Sequence, residues 1–161
     1  MRFALLITVL LACSTNGKRE DNAPMSPPNQ PSDSPYVGPK VHVSTAGGEV
    51  TVKVEVVATN EKIRKGLMYR KHLPTDAGML FLMGQERDHE FWMRNTLIPL
   101  DMLFIDKDMT VVGIVENAEP LTETLRSVGK ISSYVLEVNA GWSKEHHVSA
   151  GAKVRFENVG T

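Results

Sequence analysis

The residues best suited to chemistry lie in one run, FWMRNTLIPLDMLFID, at residues 91–106. Pro99 interrupts it, because proline cannot donate to a strand ladder and restrains the residue before it. Asn95 and Asp101 flank that bend and bring an amide and a carboxylate close together. Trp92 adds a flat stacking surface. Donors, acceptors and an indole face together suit a carbohydrate or another polar small ligand. The same two side chains could instead bond the backbone of their own bend, as Asx residues commonly do. Arg70 carries a planar fork that could bind an anion or pair with Asp101 or Glu137. The candidate ligand pocket is therefore Arg70, Trp92, Asn95, Asp101 and Glu137. The catalytic alternative is a hydrolase or transferase using Asp101 with Glu137 or Arg70, which requires the two groups to face one cleft.

Other chemistries have weaker support. Ser132, Ser133 and Ser143 sit in no nucleophile-elbow context. Of His42, His72, His89, His146 and His147, no two show the i, i+4 spacing of a helical zinc pair, so solvated histidines and no metal or cofactor are expected. Met68, Met79, Met83, Met93, Met102 and Met109 are close in sequence. Thioethers suit Cu(I), which makes copper binding a remote reading. Inside apolar patterns, however, methionine usually fills gaps in a core.

The chain has one cysteine, Cys13, so no disulfide can form within it. Met1-Arg2 and the apolar run at 3–11, broken by Thr8, read as a secretory signal. The run is too short to span a bilayer as a helix, which takes about 20 apolar residues. Leu10, Leu11 and Ala12 before Cys13 resemble the lipobox of bacterial lipoproteins. That resemblance implies cleavage after residue 12 and lipidation of Cys13. Ser14 in place of Asp favours, by the same resemblance, the inner face of the outer membrane. The membrane is then one partner, through the lipid. An envelope glycan or protein is the other expected partner.

Residues 13–40 read as the lipidated cysteine and a tether. Six of the nine prolines lie here (Pro24, Pro27, Pro28, Pro31, Pro35 and Pro39). Prolines bias such a segment toward extended polyproline conformations of about 3.1 Å per residue. Residues 41–161 form the folded part. Val50, Val52, Val54 and Val56 alternate with polar residues, the pattern of a half-buried strand, and Gly47-Gly48 marks a hairpin to residues 41–45. Thr59 can cap a short helix over 60–69. Further strands are expected at 78–83, 89–94, 101–106, 110–117, 132–138 and 153–158, with a second short helix at 141–147. Short strands with frequent turns suggest a sandwich or barrel, and the gaps between strands look too short for crossover helices. With 18 basic and 19 acidic residues, the chain lacks the cationic excess of a nucleic-acid binder.

Four pieces in order, GLMYR at 66–70, GMLF at 78–81, the 91–106 run and VLEVNAG at 135–141, resemble a widespread prokaryotic family, domain of unknown function 192. The resemblance spans residues 50–156. It implies a mainly-β, jelly-roll-like β-sandwich of one domain with one or two short helices, and it implies no activity. The expected protein is a lipid-anchored periplasmic domain that binds a polar small ligand or an envelope partner without chemistry.

Overall fold

Alternating valines build the first hairpin of the computed structural model, which describes residues 36–160. The signal segment, Cys13 and the tether as far as residue 35 lie outside the described residues. β1 (Lys40–Thr45) and β2 (Gly48–Val57) pair antiparallel, with Val41 opposite Val52 and Val43 opposite Val50. The turn passes into Gly48 at φ 128°, a conformation side chains disfavour.

α1 (Asn60–Lys65) begins at Thr59, whose hydroxyl accepts the Lys62 N–H at 3.3 Å. It stops short of the expected end at Tyr69, because the chain enters Gly66 at φ 46°. β3 (Ala77–Asp88) then pairs parallel with β2. The gap between β2 and β3 is one of those expected to be too short for a crossover. This one gap suffices, since a parallel return needs only about a dozen residues.

β4 (Leu100–Ile105), β5 (Val111–Ala118) and β6 (Ile131–Asn139) follow, then α2 (Trp142–Glu145) and β7 (Val154–Glu157). The seven strands form one sheet in the order β5-β4-β6-β3-β2-β1-β7. The sheet curls until its ends meet. Thr110 bridges Lys153, Val111 N–H donates to Ala152 at 2.9 Å, and Val154 N–H donates to Met109 at 2.8 Å. This meeting partly covers edges that would otherwise offer unpaired backbone. The mainly-β, single-domain expectation with two short helices holds, and one curled sheet supplies the opposed layers.

Two apolar clusters flank the central strands. The inner one includes Val41, Val52, Leu80, Leu103, Leu136 and Val138. The outer one includes Met79, Phe81, Met93, Met102, Phe104 and Val135. β4 lies between them and is buried along its whole length. Three of the six methionines weighed for copper, Met79, Met93 and Met102, are core side chains of the outer cluster. Residues 89–94, expected as a strand, make only the isolated bridge of Phe91 to Arg126. The backbone turns at Asn95, φ 56°, instead of extending into β4.

Candidate functional site

The period of two along β6 decides where Glu137 points. Leu136 and Val138 enter the inner cluster, so Val135 and Glu137 face outward. Glu137 pairs across the sheet with Met79 on β3 and Met102 on β4. It is 5% exposed. Burial alone, with no hydrogen bond or charge to offset it, pushes its carboxyl up to about 8. The group is therefore largely protonated at neutral pH.

Glu137 lines a pocket of about 240 Å³ whose apolar walls include Met68, Phe81, Met83, Phe91 and Trp92. The Phe91 ring meets Phe81 edge-to-face at 5.2 Å and Phe104 at 5.9 Å, which fixes that wall. Arg64 and Lys65 from α1, Arg87 from β3 and Glu90 also line the pocket, and these four are exposed. An open groove of about 880 Å³ continues from it, sharing Arg64, Lys65, Met68 and Trp92 and adding Asn60, Glu61, Arg94 and Asn95. Trp92 is 39% exposed, with the Arg94 guanidinium 5.9 Å from its ring centre. The Asn95 carbonyl accepts the Tyr69 N–H at 2.8 Å, and Thr96 accepts the Leu121 N–H at 3.1 Å. Tyr69, Asn95 and Leu121 all have positive φ, so unusual backbone gathers where these three segments are tied together.

Two expected pocket residues belong elsewhere. Asp101 lines neither the pocket nor the groove. It is fully buried and accepts three backbone N–H groups, from Asn117 at 2.9 Å, Gly141 at 3.1 Å and Ser143 at 2.9 Å. Its carboxylate thereby caps the first turn of α2. Asp101 registers with Val138, on the opposite face of the sheet from Glu137. No cleft contains both acids, so the hydrolase pairing lacks its geometry. Arg70 donates to Glu55 on β2 through its two terminal guanidinium nitrogens, the second at 2.6 Å, and bonds neither Asp101 nor Glu137. The Arg70 hydrogen bonds hold the Glu55 carboxyl below the usual range. Trp92, Asn95 and Glu137 remain, with Trp92 common to the pocket and the groove.

Two histidines are buried, against the expectation of solvated rings. His42 bonds Glu157 at 2.9 Å and Thr51 at 2.9 Å, and His89 bonds the Gln85 carbonyl at 3.0 Å. Among the described residues, no three His, Asp or Glu side chains gather as a metal site.

The geometry can be set beside known proteins. The family model for domain of unknown function 192, described as an uncharacterized ACR, matches residues 41–156. The chain belongs to this family. Two solved structures share the family 192 chain's fold at appreciable identity. One is a protein of unknown function from Novosphingobium aromaticivorans, 36% identical, with a TM-score of 0.70, covering 72% of this chain and 83% of its own. The other, from Sinorhizobium meliloti and described as a candidate transcription regulator, is 38% identical, with a TM-score of 0.72, covering 76% and 97%. No curated protein matches the chain.

Sequence reasoning on this family 192 domain missed Arg64, Lys65, Phe81 and Arg87 as neighbours of Glu137. Its one usable signal was Glu137 itself, an acid in the apolar run VLEV.

Proposed function

We propose that this chain is a lipid-anchored periplasmic binding protein that holds a small ligand in the pocket beneath Trp92 and performs no chemistry on it. The observation that carries the reading is Glu137, a buried acid without a partner among the described residues, facing a pocket walled by aromatic rings. Its carboxyl makes no hydrogen bond to the described residues and opens on the pocket, so a ligand group there could take up the bond that no protein group gives it. The exposed face of Trp92 and the groove beside it offer a platform for the rest of such a ligand. Membrane attachment rests on the signal-like segment ahead of Cys13, with the outer membrane's inner face as its site. An envelope glycan or protein is the expected partner.

The test is a thermal-shift screen of the protein with envelope sugars and peptidoglycan fragments. It is repeated on Trp92→Ala, Glu137→Gln and Asp101→Asn. A hit should raise the melting temperature of wild type and of Asp101→Asn, and not that of Trp92→Ala. A flat response to every probe, or a hit insensitive to both Trp92→Ala and Glu137→Gln, contradicts the reading.

A further inference from the structure

We infer that the pocket beneath Trp92 takes a small organic anion, a carboxylate joined to an apolar body. This names the ligand class of the pocket proposed above and rests on that reading. Phe81, Phe91 and Trp92 supply the surface for the apolar body. Charge at the pocket supplies the rest. Arg64, Lys65 and Arg87 line it against one exposed acid, Glu90. Among the described residues, these three cations enter no salt bridge. A ligand cation would have to join three like charges there, whereas a carboxylate meets complementary ones.

Glu137 fits the same ligand. In its protonated form it donates O–H to an oxyanion, a charge-assisted bond stronger than a neutral one. The charged groups around it are Arg64 and Lys65 from α1, Arg87 from β3, and Glu90 beyond β3. Its partners on the adjoining strands, Met79 and Met102, carry no charge. Ionisation of Glu137 would set a carboxylate against the bound anion and drive it out. The affinity should therefore fall as pH rises.

Matched probes decide the matter: phenylpropionate, phenylpropylamine and phenylpropanol, and the hexanoate, hexylamine and hexanol set. Each is titrated into the full chain by calorimetry, with tryptophan fluorescence as a second signal. Trp142 also emits, so the Trp92 part is identified by its loss in Trp92→Phe. At pH 6.5 one of the carboxylates should bind at least tenfold more tightly than its amine and its alcohol. By pH 9, above the Glu137 midpoint of about 8, its affinity should fall about tenfold. Glu137→Gln should keep binding and lose that pH dependence, because the amide still donates a hydrogen bond. Arg64→Glu should weaken the carboxylate and favour the amine. Preference for the amine, or equal binding of the alcohol, overturns the anion inference and leaves the pocket reading standing. No binding of any probe, with Trp92 fluorescence unchanged, overturns both.

Discussion

Asp101 and Glu137 occupy adjoining strands, one register step apart, and face opposite sides of the sheet. Asp101 looks toward the turn before α2 and closes its backbone. Glu137 looks outward, toward α1 and the segment around Trp92. Two acids that look equivalent in the sequence thus separate into a structural carboxylate and a pocket carboxyl. The separation follows from the two-residue period of a strand.

Asp101→Ala should destabilise the domain by about 3 kcal/mol or more, because it leaves three backbone N–H groups without their acceptor. Urea unfolding of the variant gives the measurement. Asp101→Asn should fall between, since its amide oxygen can serve only part of the set. A loss below about 1 kcal/mol for the alanine variant would mean that water serves these groups as well.

Glu137 makes stability depend on pH with a definite sign. Its folded-state value, about 8, lies above the ordinary 4.5, so the folded chain holds the proton more tightly. The contribution is complete below about pH 4.5 and is lost as pH rises through about 8. Wild type and Glu137→Gln should therefore have similar stability at pH 4.5. At pH 9 the variant should be the more stable by about 5 kcal/mol, the free energy of a shift from 4.5 to about 8. Chemical denaturation at the two pH values reads this difference, and equal stability at pH 9 would count against a buried acid.

The Arg70–Glu55 pair is surface-exposed, and exposed pairs contribute about 0.2–1 kcal/mol. A double-mutant cycle with Arg70→Ala and Glu55→Ala should return a coupling in that range. A cycle with Asp101→Ala in place of Glu55→Ala should return none. Coupling between Arg70 and Asp101 would contradict the contacts seen here.

Cys13→Ala should be exported and recovered in the soluble periplasmic fraction, while wild type should pellet with membranes. Recovery of the variant in the membrane pellet would contradict lipid anchoring at this residue.

Much of the strand framework was legible in the sequence, because it rests on local pattern. The Val50–Val56 alternation predicts β2, and the run from Leu100 to Ile105 is uninterrupted apolar chain apart from Asp101. The parallel return to β3 was not legible, since α1 is short and its gap looked too small to hold a crossover. The site was legible only in part. Trp92 and Asn95 were named together and do lie together in the groove. The partners of Asp101 were not foreseen. Its acceptor role spans 16 residues to Asn117 and 40 to Gly141, distances that no local motif encodes. Arg70 likewise found Glu55, 15 residues upstream, because α1 and the chain after it pack beside β2 and β3.

The most direct measurement is a carbon-13 NMR titration of the Glu137 side-chain carboxyl between pH 4 and pH 10, followed together with the Trp92 indole signal. A midpoint near 8, with the indole signal moving in step, would establish a buried acid at the aromatic pocket. A midpoint near the ordinary glutamate value of 4.5, with the indole unmoved, would contradict it.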